Sequence, residues 1–310
     1  MKTAKAFSPA GISSFFEICD TIPDGSPTKD LEKVGARGGG FGIKKGVTTE
    51  VHVSETTQNN VKIFINGRYA SEAETTRTVV KMFLERADGC YDVKVSHWVD
   101  VPIGAGFGTS AGGAITAALA LSKALGLRLT LNQLGKIAHI AEIKCKTGLG
   151  TVAPLTLGGG CVITVEPGAP GTAIIDRIPI SEDYVIVAGV FGPMLTREIL
   201  SSPEKRLVVN KWGRITLKKI LAEPSLENFL ACCRDFAEKT GFVTERVRKL
   251  FKAADEAGAI GAAQNMVGEA VHALATSENA EKVAQAFKRV LPEERVIVAN
   301  VELYGARLLG

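Results

Sequence analysis

No segment of this chain approaches about eighteen uninterrupted apolar residues, so no membrane-spanning helix is expected. The opening residues, Met1-Lys2-Thr3-Ala4-Lys5-Ala6-Phe7, lack the apolar run of a secretory leader, and a cytoplasmic protein is the expectation. Pairing signals among the cysteines are missing as well. Cys19, Cys90, Cys145, Cys161, Cys232 and Cys233 contain no C-x-x-C unit and no accompanying histidine spacing, which argues against a zinc site or a disulfide framework and for buried free thiols. Net charge is only +4, and the basic clusters Lys44-Lys45, Lys218-Lys219 and Arg246-Val247-Arg248-Lys249 carry no interleaved aromatics that could stack bases. They read as solvated faces, so no nucleic-acid partner is expected. No internal repeat is visible.

What is present is the composition of a folded protein: 45% hydrophobic and 23% charged residues, with 33 glycines among 310. That length accommodates two ordinary domains. The Gly168-Ala169-Pro170-Gly171 segment reads as a crossover, which divides the chain into 1–172 and 173–310. Strand patterns fall at 47–53, 61–65, 161–165, 184–190 and 296–303. Helical patterns fall at 71–87, with Ser71 and Glu74 as a capping box, at 110–125, and at 131–145 behind a Thr130 cap. Further helices are expected at 226–238, 244–256, 266–276 and 280–290, and a glycine-bounded turn region at 148–160. The fold class is α+β.

The most informative stretch is an alternating strand, residues 93–99, that runs into Pro102-Ile103-Gly104-Ala105-Gly106-Phe107-Gly108-Thr109-Ser110-Ala111-Gly112-Gly113 and then an alanine-rich helix. Glycines let a backbone approach an anion closely, and the free amides of a helix's first turn point at it with the helix dipole behind them. Pro102, Gly104, Ala105, Gly106, Phe107, Gly108, Thr109, Ser110 and Ala111 are therefore candidates for holding the phosphates of a nucleotide, and the hydroxyls of Thr109 or Ser110 for reaching a magnesium ion on them. The third glycine falls at 108, one residue early for a dinucleotide fingerprint, and no lysine precedes Thr109-Ser110 as a P-loop requires. Glu142 is an acid in the otherwise apolar run Ile140-Ala141-Glu142-Ile143, where a carboxylate needs a partner such as a metal.

This order of motifs resembles the GHMP small-molecule kinases, the superfamily of galactokinase, homoserine kinase and mevalonate kinase. The resemblance rests on Pro102 through Ala114, on Glu142 with Ser110, and on Thr147-Gly148-Leu149-Gly150-Thr151-Val152-Ala153-Pro154 followed by Gly158-Gly159. Within that superfamily it extends to the archaeal pantoate kinases through residues 7–16, 35–42, 167–171, Thr196-Arg197-Glu198-Ile199-Leu200 and 263–268. It implies a two-domain fold with the active site between the domains, and transfer of the ATP γ-phosphoryl group to the terminal hydroxyl of pantoate on the route to coenzyme A. It also implies Ser110 and Glu142 as magnesium ligands, and it is compatible with a homodimer. Two departures stand out. Many superfamily members carry a base aspartate where this chain has Gly150 and Thr151, and the third glycine motif is reduced to residues 258–265.

His139 lies one helical turn before Glu142, hence on the same face, and is the candidate to bind or relay the proton of the acceptor hydroxyl. Its competing reading is a satisfied core histidine. A selective site for a carboxylate-bearing acceptor should offer a guanidinium. Arg37, among glycines, is the first candidate, and Thr196 with Arg197 the second. Ser13 and Ser14 are weaker ones; Gln264 and Asn265 are candidates to close over a ligand, with a helix N-cap as the other role for Asn265. The alternatives at this stage are homoserine kinase-like chemistry, which shares Val152-Ala153-Pro154, a non-catalytic nucleotide-binding relative, and an RNA-binding module.

Overall fold

The computed structural model describes residues 1–22, 24–193 and 202–310. Strands β1 (Lys2–Cys19) and β2 (Gly35–Thr56) form a long antiparallel hairpin at the centre of the larger sheet. Register shifts between Pro9 and Ala10 and between Ser13 and Phe15 bend it, as bulges do. Then follow β3 (Asn60–Ile65), β4 (Arg68–Tyr69), α1 (Glu74–Leu84), β5 (Cys90–Val99), α2 (Thr109–Leu125), α3 (Leu131–Cys145), α4 (Val152–Leu157), β6 (Cys161–Glu166) and β7 (Ile174–Ile178). The second half holds β8 (Tyr184–Pro193), α5 (Pro203–Ala222), α6 (Leu226–Lys239), α7 (Glu245–Glu256), β9 (Gly261–Gln264), β10 (Gly268–Thr276), α8 (Ser277–Lys288), β11 (Val296–Asn300) and β12 (Arg307–Leu309).

The larger sheet runs β12-β1-β2-β5-β3-β4, with β6 and β7 added through β2; the smaller runs β11-β8-β10-β9. The α+β expectation holds. The expected boundary at 172/173 does not coincide with the change of sheet, because β7 still pairs with β6 and β12 returns at the end of the chain to pair with β1. The two sheets also share a core. Phe15 and Phe41 of the hairpin pack edge-on against Phe229 of α6, with ring centroids 6.1 and 5.4 Å apart. Such pairs contribute about 0.5–1.5 kcal/mol each beyond the area they bury.

Three local expectations are corrected. The segment expected as a helix at 266–276 is the strand β10. Its alanines favour a helix by propensity, yet it lies between β8 and β9 with Gly268–Ala275 all buried, where small residues fit both faces. Asn265 accordingly caps no helix. Ser71 does not cap α1, whose N-cap is Ala73; the Ser71 hydroxyl donates to Glu72 instead. By contrast Thr130 caps α3 in a full capping box with Gln133. The turn region 148–160 contains the short helix α4, and α5 had no counterpart among the expected elements. All six cysteines are free, and among the described residues no helix is long and apolar enough to cross a membrane.

Candidate active site

Between the β1–β2 hairpin, the loop before α2 and the turn after α3 lies a cavity of about 440 Å³, also lined by Met266 and Val267 from the second half. The loop after β5 turns on Gly104, Gly106 and Gly108, with φ of 79, 78 and 62°. A β-carbon on Gly106 would stand 2.8 Å from Cβ of Asn265, so both conformation and space exclude a side chain there. Gly108 is the N-cap of α2 and offers no capping side chain, and the first turn of α2 holds no acid. The first-turn amides, which lack intrahelical partners, belong to Thr109, Ser110 and Ala111, and all three residues line the cavity. The arrangement is that of an anion cradle. Pro102 and Ala105 do not line the cavity. Ala105 is buried beneath the loop, and its carbonyl accepts from Nδ2 of Asn265 at 3.4 Å.

A polar string holds that loop from behind. His272 Nδ1 donates to Oδ1 of Asn265 at 2.9 Å, and His272 Nε2 accepts from the Ser14 hydroxyl at 3.0 Å. This tautomer follows from Asn265, whose amide nitrogen already serves Ala105. Burial drives His272 down to about 3, so the string is uncharged at neutral pH. Ser14 and Asn265 thus support the loop rather than face a ligand, and neither lines the cavity. Gln264 does not reach it either: its amide nitrogen donates to the carbonyls of Phe242 and Gly268.

Beside the cradle Glu142, 2% exposed, projects from the last turn of α3. Hydroxyls connect it to Ser110: Thr147 Oγ1 donates to Oε1 of Glu142 at 3.3 Å, Thr147 and Thr75 hydroxyls pair at 2.9 Å, and Ser110 Oγ donates to Thr75 at 3.4 Å. Burial raises the Glu142 carboxyl to about 7, against the opposing pull of the Ser110 and Thr147 hydroxyls. Ser110 and Glu142, 32 residues apart in sequence, therefore meet at one cavity wall. Thr75, on α1, was not foreseen. Nothing in its helical setting distinguishes it from a core threonine. Lys146, the exposed C-cap of α3, also lines the cavity and was likewise missed.

The other expected contacts are distributed differently. His139 is buried and does not line the cavity. Its Nε2 points at the carbonyls of Val34 and Leu31, 2.9 and 3.2 Å away, so the ring fastens the 31–34 turn to α3 and does not meet an acceptor hydroxyl. Arg37 lines the cavity, but from the start of β2 and with a crowded guanidinium. Nη2 donates to Glu166 at 2.8 Å, Nη1 to Glu17 at 3.4 Å and Nε to the Val165 carbonyl at 3.1 Å. Thr151, at the position of the absent aspartate, is the uncapping N-cap of α4 and lines the cavity. Thr196 and Arg197 lie outside the described residues.

Comparison with known proteins bears on this geometry. Residues 74–159, which contain α1, the cradle, Glu142 and the turn after it, match the GHMP kinases N terminal domain. The pantoate kinase of Thermococcus kodakarensis is 33% identical over 284 residues, covering 91% of this chain and 90% of that protein. The chain belongs to the pantoate kinase family. A second pantoate kinase, from Methanocaldococcus jannaschii, is 31% identical over 285 residues, 91% of this chain and 96% of that one. Among solved structures a phosphotransferase related to the CoA biosynthesis pathway superposes with a TM-score of 0.85 at 30% identity, covering 99% of this chain and 98% of its own. As a member of the pantoate kinase family the chain is an ATP-dependent GHMP kinase, and the expected fold is borne out.

Proposed function

We propose that this protein transfers the γ-phosphoryl group of ATP to the terminal hydroxyl of pantoate, giving 4-phosphopantoate and ADP on the route to coenzyme A. The observation that carries the reading is the cavity that an anion cradle and a buried carboxylate line side by side, in a chain 33% identical to a pantoate kinase over nearly its whole length. The amides of Thr109, Ser110 and Ala111 bind the phosphate chain. Magnesium fits the donors present, since it takes one or two carboxylates together with substrate phosphate oxygens. Glu142 and the Ser110 hydroxyl would hold it, and among the described residues no cluster of three or more acidic, histidine or cysteine side chains could hold a metal unaided. When bound, it offsets the charge on the β- and γ-phosphate oxygens.

In the transfer, the acceptor oxygen bonds to the γ-phosphorus as the bond to the β,γ-bridging oxygen breaks and ADP leaves. The hydroxyl proton passes late to an oxygen of the transferred group. A loose transition state asks for alignment and charge stabilisation more than for a strong base, so Thr151 in place of an aspartate is compatible with turnover. Arg37 is the proposed contact for the acceptor carboxylate, which would share the guanidinium with the half-exposed Glu166. A cytoplasmic location and a homodimer complete the proposal. The test is an ADP-release assay with pantoate, homoserine and mevalonate in parallel, with product masses measured. Turnover on pantoate alone supports the assignment; turnover on another acceptor moves it, and nucleotide binding without transfer to any of the three overturns it.

A further inference from the structure

The cradle has no P-loop lysine, and an ATP tail placed on backbone amides needs a cation near its end. Two cationic side chains line the cavity among the described residues, Arg37 and Lys146. Arg37 is already held by two carboxylates and a carbonyl. Lys146 is exposed, lines the cavity on the wall that carries Glu142, and its ammonium has no hydrogen-bond or ion-pair partner among the described residues. We propose that Lys146 is the cation that binds the γ-phosphoryl group in this kinase, a role that rests on the phosphotransfer reading above.

The backbone supports the assignment. Lys146 ends α3 in the left-handed region, φ 55°, with its N–H bonded to the Ile143 and Glu142 carbonyls. That cap position ordinarily selects glycine, as at the end of α2, where Gly126 has φ 73°. A lysine here accepts a conformation that its β-carbon disfavours, in exchange for which its side chain leaves from a fixed point one turn beyond Glu142. In the loose transition state the charge of the γ-phosphoryl group is spread over its three peripheral oxygens, and a cation at that point acts on the end of the triphosphate and leaves the α- and β-phosphates to the amides.

Lys146→Gly, Lys146→Met and Lys146→Arg separate this role from a structural one. Glycine relieves the cap, so Lys146→Gly should melt no lower than the wild type. Its affinity for the magnesium complex of the β,γ-imido ATP analogue, measured by calorimetry, should nevertheless fall about tenfold while that for magnesium ADP stays within about twofold. Lys146→Met should behave likewise, with kcat on pantoate about a hundredfold lower and the pantoate KM within about twofold. Lys146→Arg should retain most of the discrimination between analogue and ADP. An unchanged analogue-to-ADP ratio in Lys146→Gly and Lys146→Met overturns the proposal, as does a tenfold rise in pantoate KM at constant ratio, which would assign the lysine to the acceptor. A wild type that phosphorylates another acceptor, or none, refutes the pantoate reading, while the analogue-to-ADP ratio still decides Lys146.

Discussion

Replacing Glu142 by glutamine should remove activity and stabilise the fold, and the stabilisation should appear only above a particular pH. Burial raises this carboxyl from an ordinary 4.5 to about 7. Between those values the folded protein holds a proton that the unfolded chain has released, so stability falls as pH rises through the window and the full loss is present above pH 7. A shift of about 2.5 units at 1.36 kcal/mol each is ~3 kcal/mol. Glutamine mimics the protonated acid and has no proton to lose. Urea unfolding of the wild type and Glu142→Gln, without nucleotide or magnesium, should therefore give similar stabilities at pH 4.5 and a variant more stable by ~3 kcal/mol at pH 8.5. In the coupled assay the same variant should lose about 10²-fold or more in kcat, since it removes the carboxylate proposed to hold the metal. Magnesium ATP should release protons from the wild type near pH 7 and fewer from the variant. Equal destabilisation of Glu142→Gln at both pH values would refute the buried-carboxylate argument, and near-normal turnover would refute the metal assignment.

Gly106→Ala places a β-carbon 2.8 Å from Asn265 at φ 78°, and should raise the ATP KM about tenfold by displacing the cradle, at a strain of roughly 1–3 kcal/mol. An unaffected ATP KM would show that the loop can absorb the side chain. Arg37→Ala should raise the pantoate KM far more than the ATP KM, and equal effects on both would count against a carboxylate contact. Acid should unfold the protein through two histidines. Burial lowers His97 to about 4 and His272 to about 3 from 6.5, so the unfolded state binds protons first as pH falls below 6.5. Each costs ~2–3 kcal/mol by pH 4.5, and His272→Gln should flatten the acid limb of a stability–pH curve. Parallel curves would refute this account.

The cradle and the two helices beside it were legible because their signals are local. Glycines at alternate positions, an alanine-rich helix and a threonine just before an apolar-periodic run each determine a few backbone torsions without help from the rest of the chain. The strand β10 was not legible, since its alanines state a helical preference and only the neighbouring strands override it. The full length of the hairpin was obscured in the same way: glycines at 38–40 and 42 read as turns but lie within β2, where β6 and β1 approach closely. In the site, Ser110 and Glu142 could be named from an unusual acid and a hydroxyl at a helix start. Thr75 could not, because its importance comes from standing between Ser110 and Thr147 after α1 folds against α2. His139 shares a helix with Glu142, but helical spacing does not reveal that its ring is claimed by carbonyls of a turn about a hundred residues away in sequence.

The absence of an aspartate at Thr151 has a physical consequence for an anionic acceptor. Among the described residues Glu142 is the only carboxylate lining the cavity, and it is the one proposed to face a metal ion. A second carboxylate at 151 would supply a base, typically worth 10²–10⁴-fold in rate. It would also set a negative charge against the carboxylate of pantoate and the triphosphate; at about 6 Å and an effective dielectric of about 20 each such pair costs ~3 kcal/mol, or about a hundredfold. On the proposed reaction the two effects are of similar size. On that reading a cavity that keeps Thr151 forgoes base catalysis and avoids repelling its own substrates, leaving the rate to the proposed groups: the cradle amides, a metal on Ser110 and Glu142, and the lysine that closes α3.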